Sequence, residues 1–390
     1  MRVQCYTRTT GGLQHEARQL FLLQRGVINR ILARPTFGVS KRGNRNTLTP
    51  LCSEQRTFGN RRILPGSTHF FGSTHIRAVN NPNQMGESKY LTGDSAGIDE
   101  FLDKFDVFLF DCDGVLWSGD HVFEGTVETL ELLRAKGKRV VFVTNNSTKS
   151  RQDYQKKLTA MGIPSNVEEI FASAYSSAVY ISRILNLPAP RNKVFVLGES
   201  GIEQELRTEN VPFIGGTDPA LRRDITPADF AGLADGSLLD PDVGIVLAGL
   251  DFHVNYLKLS YAYQYLRRGA VFLATNLDST LPMSHTFFPG AGSISIPLVN
   301  MIGEKPTALG KPSQAMMDAI EGKFHFDRSR TCMVGDRLDT DIQFGIQGKL
   351  GGTLAVLTGV SKKEEWEAAD AKFVPAYYVD KLGDLRGASS

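Results

Sequence analysis

Short apolar runs and longer amphipathic stretches alternate along the chain from about residue 98 onward. The apolar runs 106–110 and 139–143 have the length of buried strands. Each precedes a stretch, 124–137 and 150–162, whose apolar positions recur at helical spacing. This alternation predicts an α/β fold built on a parallel, doubly wound sheet.

The pattern changes character in the middle of the chain and then returns. Residues 190–304 hold strands and a helix of their own, and "FFPGAGSISIP" (287–297) predicts a Gly/Pro-rich turn at the end of this region. We therefore predict a core domain made of 86–189 and 305–390. A second α/β domain, 190–304, is inserted into it.

The first 85 residues differ from the rest in charge. The chain has 44 Lys+Arg and 42 Asp+Glu, a net charge of +2; residues 1–85 hold 13 basic residues and 2 acids (+11), so the remainder is at −9. The amphipathic, arginine-rich stretch 17–34 is typical of a mitochondrial transit segment. A spurious or dispensable extension is an equally good interpretation, and a nucleic-acid-binding tail is a third. In each case we expect this leader, 1–85, to lie outside the fold and to be disordered.

Cysteine usage and hydropathy narrow the class of protein further. The four cysteines form no CxxC pair, which favours a reducing compartment. The apolar runs are all shorter than the roughly 18 residues of a membrane span. We expect a cytoplasmic protein, or a mitochondrial one if the leader is a transit segment, with neither membrane nor nucleic acid as partner.

Two aspartates follow the first predicted strand. Asp111 and Asp113 stand two residues apart and precede Gly114, so both side chains would leave the same side of an extended backbone. Two adjacent carboxylates repel each other unless a divalent cation or a shared proton compensates. An Asx-turn followed by glycine is the plainer interpretation of this pattern taken alone.

Other predicted strand and helix ends also carry polar groups suited to phosphate chemistry. Parallel strands place their carboxyl ends at one edge of a sheet, where ligands bind. Each signal has an ordinary alternative: an N-cap, a surface lysine (Lys305 is a rival) or a solvated acidic turn. The candidates are Thr144, Asn145 and Asn146 after the second strand, Lys311 before a helix, and Asp336, Asp339 and Asp341 after a later strand.

Taken in order, these segments resemble the haloacid dehalogenase superfamily. The strings "DCDGVLW", "FVTNNSTKSR", "ALGKPS" and "VGDRLDTDI" are similar to its phosphoglycolate phosphatase and 4-nitrophenylphosphatase branch, especially to fungal members, and the similarity spans about 88–385. The resemblance implies a Rossmann-like core with an inserted cap of the C2 type. It also implies a Mg²⁺-dependent phosphatase that forms an aspartyl-phosphate.

The resemblance further implies a role for each candidate residue. Asp111 is the expected nucleophile, Asp113 the acid and base, and Lys311 a neutralising cation that also contacts the phosphoryl group. Thr144, Asn145 and Asn146 are expected to bind the phosphoryl oxygens. The expected Mg²⁺ ligands are Asp111, Asp113 through its backbone carbonyl, and Asp336, with Asp341 in support.

Substrate and assembly stay open at this point. A small phosphate ester such as 2-phosphoglycolate is the first hypothesis, with 4-nitrophenyl phosphate accepted in vitro. A pyridoxal phosphate phosphatase and a catalytically silent protein of the same fold are the alternatives. The resemblance also suggests a homodimer through the cap.

Three shorter segments carry expectations about the surroundings of the site. Cap residues 278–280 and 289–293 are candidates for facing the leaving group. Thr275 and Asn276, which echo the Thr144 segment, are expected to be the end of a cap strand and not a second phosphate site. Residues 115–117 are expected to turn the chain away from the site.

Overall fold

The computed structural model describes residues 88–283 and 286–388. The predicted leader lies outside these residues, so its prediction and the choice of compartment that depends on it stay predictions. The strands, numbered β1 to β16, are Lys89–Tyr90, Val107–Phe110, Trp117–Ser118, His121–Val122, Arg139–Thr144, Ile170–Ala172, Lys193–Leu197, Phe213–Gly215, Val243–Ala248, Val271–Ala274, Thr280–Met283, Thr286–Pro289, Thr307–Ala308, Thr331–Gly335, Gly352–Val356 and Tyr377–Val379.

Helices alternate with most of these strands. Several short 3₁₀ segments and two π-helical segments, Tyr180–Leu185 and Leu338–Ile342, complete the described elements. The α-helices, numbered α1 to α11, are Ser95–Lys104, Thr126–Ala135, Arg151–Ala160, Ser173–Val179, Ser200–Thr208, Pro227–Asp235, Tyr256–Arg267, Ala291–Ile302, Gln314–Phe324, Gln343–Gln347 and Lys363–Glu367.

The larger sheet has seven parallel strands in the order β1-β16-β15-β14-β2-β5-β6. Every residue of β2 and β14 is buried, as expected for central strands with both faces covered by helices. The strand order places β14, β2 and β5 side by side in this sheet. The ends of these three strands therefore meet at one edge of the sheet, and the predicted α/β architecture with a parallel sheet is confirmed.

A second parallel sheet has five strands in the order β13-β10-β9-β7-β8. Its strands lie in sequence between β6 and β14 of the larger sheet, which is the topology of an inserted unit. The predicted limits, 190–304, enclose four of these strands, and β13 lies just beyond them. The division into domains stays a prediction.

The predicted turn over 287–297 is wrong. The segment forms strand β12 and then the first part of helix α8, which contains Pro297. Gly290 is the N-cap of this helix, and Ala291, Ser295 and Leu298 are buried on one of its faces. That buried face stabilises the helix despite the one backbone hydrogen bond that proline cannot donate.

Within 88–283 and 286–388, each helix is too short or too polar to cross a bilayer.

Candidate active site

Asp111 lies at the carboxyl end of β2 and contacts Lys311. The Asp111 N–H donates to Val334 O at 2.9 Å, so the pairing of β2 with β14 continues up to the aspartate. Lys311 Nζ donates to Asp111 Oδ1 at 2.6 Å and to Val143 O at 2.9 Å. The same ammonium lies 2.7 Å from Asp341 Oδ1. The structure thus brings together three of the predicted residues from three distant segments.

Burial and neighbouring charges together shift the pKa values of Asp111 and Lys311. Burial raises the pKa of Asp111 well above its usual range, although Lys311 opposes the shift. Burial acts to lower the pKa of Lys311, but the carboxylates of Asp111 and Asp341 outweigh it and raise that pKa above its ordinary value. The raised pKa favours the charged form of Lys311 beside Asp111.

The segment after β14, which includes the π-helical turn Leu338–Ile342, holds Asp336 and Asp341. Asp336 Oδ2 accepts the N–H of Val360 at 2.7 Å, and its Oδ1 is a buried atom without a hydrogen-bond partner among the described residues. Asp341 Oδ2 accepts the N–H groups of Asp336 and Arg337 at 3.2 and 3.1 Å, which fixes the shape of the loop. Asp339, the third acid of this sequence, is 70% exposed and pairs with Arg337 at 3.3 Å.

The carboxylates of Asp111, Asp336 and Asp341 fit a divalent cation. One ligand atom from each lies within 4.8 Å of the other two. Burial and repulsion from Asp341 raise the pKa of Asp336 to about 7. When all three are ionised, the ammonium of Lys311 and the nearby guanidinium of Arg337 offset only part of their negative charge. A hard cation that takes oxygen ligands would offset the excess negative charge and give Asp336 Oδ1 a partner.

A second group of metal-type ligands, Glu199, Asp251 and His253, lies in the inserted region. Its carboxylates already have cationic partners, since Lys258 Nζ lies 2.8 Å from Asp251 and Arg222 lies 3.6 Å from Glu199. Each of its two carboxylates has its own cationic side chain, whereas Asp111 and Asp341 share Lys311, so this group fits an added cation less well.

The segment after β5 binds the Lys311 backbone. Asn145 Oδ1 accepts the Lys311 N–H at 2.7 Å, and Asn145 Nδ2 donates to Lys311 O at 3.0 Å. Thr144 Oγ1 accepts the N–H of Asn146, and Asn146 Oδ1 accepts the N–H of Thr148. The amide of Asn145 holds the lysine segment in place, while contact of these residues with a phosphoryl group stays a prediction.

Residues of the inserted region reach the same segment. Asn276 Nδ2 donates to Asn145 O at 2.7 Å, and Thr275 Oγ1 lies 3.2 Å from Ser147 Oγ. Asn145 Nδ2 also donates to Asp278 Oδ1 at 3.1 Å, and burial raises the pKa of Asp278. The structure thus places Thr275 and Asn276 in contact with the Thr144 segment.

Asp113 has surroundings that sequence reasoning missed. Its side chain is not part of the carboxylate group above; Trp117 Nε1 donates to Asp113 Oδ1 at 2.7 Å. The expectation that 115–117 turn away from the site is therefore wrong at Trp117. A buried indole N–H needs an acceptor, and that requirement was the available signal.

Comparison with known proteins gives matches over both halves of the larger sheet. A family described as haloacid dehalogenase-like hydrolase matches residues 108–212, and a related HAD-like hydrolase family matches 308–385. The chain is 54% identical to a 4-nitrophenylphosphatase of Schizosaccharomyces pombe, over 73% of this chain and 95% of that protein. It is 44% identical to a chloroplastic phosphoglycolate phosphatase of Arabidopsis thaliana, over 82% and 88%.

A solved structure extends the comparison to a metal-bound relative. The glycerol phosphate phosphatase of Mycobacterium tuberculosis, in complex with magnesium, superposes with a TM-score of 0.61 at 28% identity. The match covers 73% of this chain and 77% of that one.

Proposed function

Since the chain belongs to the haloacid dehalogenase-like hydrolases and is a phosphomonoester hydrolase, we propose that it acts on small phosphorylated metabolites and that 2-phosphoglycolate is its preferred substrate. The observation that carries the proposal is the contact of Asp111 with Lys311 at 2.6 Å beside two further buried carboxylates. That arrangement suits attack of a carboxylate on a phosphate whose charge is locally neutralised.

The proposed reaction assigns Asp111 as the nucleophile. Its carboxylate attacks phosphorus and forms an aspartyl-phosphate, while Asp113 donates a proton to the leaving oxygen. Water then hydrolyses the intermediate, and Asp113 takes the proton from that water. Lys311 stays charged throughout and offsets the repulsion between carboxylate and phosphate.

We propose Mg²⁺ as the cofactor at Asp111, Asp336 and the backbone carbonyl of Asp113, with Asp341 beside them. The magnesium-bound relative and the fit of the three carboxylates support this choice. Bound Mg²⁺ supplies charge neutralisation and in-line orientation of the phosphoryl group.

A substrate panel with and without Mg²⁺ tests the proposal. We expect kcat/KM for 2-phosphoglycolate to exceed that for pyridoxal phosphate, and we expect chelation by EDTA to abolish turnover of both. A preference of more than about tenfold for pyridoxal phosphate, about 1.4 kcal/mol in transition-state binding, overturns the substrate assignment. Glycerol 3-phosphate belongs in the panel, because relatives named for it match this chain at 38% identity.

The Asp111→Asn variant tests the nucleophile. We expect turnover to disappear and the thermal melting curve to remain, because asparagine keeps the shape of the side chain and cannot form the acyl phosphate. Activity near that of the parent would contradict the mechanism and favour a different nucleophile.

We also propose a homodimer formed through the hairpin of β11 and β12. Met283, Phe287 and Phe288 on this hairpin are 53–58% exposed, and Ile296 on the adjoining helix is 60% exposed. Exposed apolar side chains grouped on one hairpin and the adjoining helix are typical of a protein interface. Analytical ultracentrifugation of the parent and of a Phe287→Asp variant tests it, since a parent monomer contradicts the proposal.

The compartment that we propose is the cytoplasm. Cys112 and Cys332 are both buried and unpaired, as is usual for proteins of reducing compartments. N-terminal sequencing of the endogenous protein is the test, because a start after a cleaved leader would favour the mitochondrial alternative.

A further inference from the structure

The side chain of Asp113 is held by two neighbours on the same oxygen. Trp117 Nε1 donates to Asp113 Oδ1 at 2.7 Å, and Lys157 Nζ lies 3.7 Å from that oxygen. Lys157 Nζ also lies 4.3 Å from the centroid of the Trp117 ring. The three side chains therefore form one connected group, which we name the Asp113 triad. Neither residue contacts Asp113 Oδ2, which has no side-chain partner in the described part of the chain.

The local fold builds the Asp113 triad from two elements. Gly114 has a φ of +89°, which reverses the chain, and its N–H donates to Trp117 O at 2.8 Å. This turn returns the fully buried indole to Asp113, with which Trp117 also forms an isolated β-bridge. Lys157 comes from helix α3, which is anchored one turn earlier by the buried Tyr154.

The asymmetry of these contacts has a chemical consequence. Asp113 is 41% exposed at its side chain, so without partners its carboxylate would rotate freely among several orientations. A charge-assisted hydrogen bond and a nearby ammonium fix one oxygen and so determine the direction of the other. A general acid must lie within hydrogen-bond reach of the atom that it protonates, so orientation decides its efficiency.

We propose that Trp117 and Lys157 are positioning residues that hold Asp113 Oδ1, so that Oδ2 is the oxygen that transfers the catalytic proton. This inference rests on the proposed function. In the first step the bond from phosphorus to the leaving oxygen breaks, the bond to Asp111 forms, and the Oδ2 proton passes to the leaving oxygen. In the second step water forms the new bond to phosphorus, gives its proton to Oδ2, and the bond to Asp111 breaks.

Comparing two leaving groups tests the inference. An alkyl phosphate such as 2-phosphoglycolate releases an alkoxide that needs the proton, whereas 4-nitrophenyl phosphate releases a stabilised phenolate that needs it far less. The Trp117→Phe variant keeps an aromatic ring, smaller than the indole, and removes the N–H. We expect it to lower kcat/KM for the alkyl phosphate about tenfold to a hundredfold, and that for 4-nitrophenyl phosphate less than about threefold.

A burst experiment gives an independent readout. The second step needs Asp113 as base whatever the leaving group, so in Trp117→Phe we expect hydrolysis of the aspartyl-phosphate to become slower than its formation from 4-nitrophenyl phosphate. A burst of about one 4-nitrophenolate per active site should then precede the steady state. A merely structural role for Trp117 would lower both substrates equally and produce no burst, and that result overturns the proposal.

Lys157→Met provides a second variant in case the buried Trp117 is needed for folding. It removes the ammonium at a side chain that is 19% exposed, and we expect the same selective loss on the alkyl phosphate. Lys156→Met is the matched control, because Lys156 is 78% exposed on the same helix and pairs with Asp153. Equal kinetics of the Lys157 and Lys156 variants would overturn the role of Lys157. Turnover by the unmodified protein tests the proposed function separately.

Discussion

Replacing Gly359 by alanine should impair metal binding without unfolding the protein. A Cβ built on Gly359 would lie 1.9 Å from Asp336 Oδ2 and 2.3 Å from its Cγ, whereas ordinary contact begins near 3.4 Å. The carboxylate must therefore move by about 1.5 Å or lose its hydrogen bond from the Val360 N–H. Mg²⁺ accepts ligands only near 2.0–2.1 Å in octahedral geometry, so a displacement of this size removes a ligand.

The expected magnitude follows from that lost ligand. One interaction with a charged group contributes about 1.5–3 kcal/mol, which corresponds to roughly a tenfold to 150-fold change in an equilibrium constant. We expect the Mg²⁺ concentration at half-maximal hydrolysis of 4-nitrophenyl phosphate to rise by that factor in Gly359→Ala.

Gly322→Ala is the matched control for this experiment. Gly322 lies within helix α9, and a Cβ there would meet nothing within 4 Å. Alanine in an open helical position stabilises by up to about 1 kcal/mol, so this variant should keep the Mg²⁺ requirement and melt at the same or a higher temperature. An unchanged Mg²⁺ requirement in Gly359→Ala would refute the assignment of Asp336 as a ligand.

Two further predictions concern the inserted region. Asp229 accepts hydrogen bonds from both Arg223 Nη atoms and from the N–H and hydroxyl of Thr226. The Arg223 contacts are the largest cause that holds the pKa of Asp229 well below its ordinary value. The stabilisation that results is complete above the pKa of the unfolded state and is lost as pH falls below about 4. Asp229→Asn should therefore lower the melting temperature at pH 7, with a difference from the parent that shrinks below pH 4, and a constant difference would contradict this. Lys258 and Asp251 form a fully buried ion pair at 2.8 Å, so Lys258→Met should cost about 3–5 kcal/mol of unfolding free energy. Adding Asp251→Asn should restore most of it in urea unfolding, and equal losses in the single and double variants would contradict the pairing.

The alternation of strands and helices could be predicted from the sequence, because strands that are buried on both faces are near-continuous apolar runs. Strand β2 was predicted at 106–110 and is Val107–Phe110, and helix α3 was predicted at 150–162 and is Arg151–Ala160. Helix α8 was not readable, because Gly290 and Pro297 are typical of turns and its stability comes from the face that it buries against the second sheet.

The site was predictable to the extent that its residues end strands. Asp111 and Asp336 follow β2 and β14, which are neighbours in the sheet, so their proximity follows from the topology. The contacts of Trp117 with Asp113 and of Asp278 with Asn145 do not follow from the strand ends, because they depend on a tight turn and on how the inserted region meets the core.

The side-chain amide of Asn145 contacts both Lys311 of the core and Asp278 of the inserted region. Its Oδ1 accepts the Lys311 N–H, and its Nδ2 is shared between Lys311 O and the carboxylate of Asp278. Both ends of the side chain are therefore engaged, and binding a phosphoryl oxygen through Nδ2 would require giving up one of these contacts inside a buried environment. We infer that the Asn145 side chain orients Lys311 and joins it to Asp278.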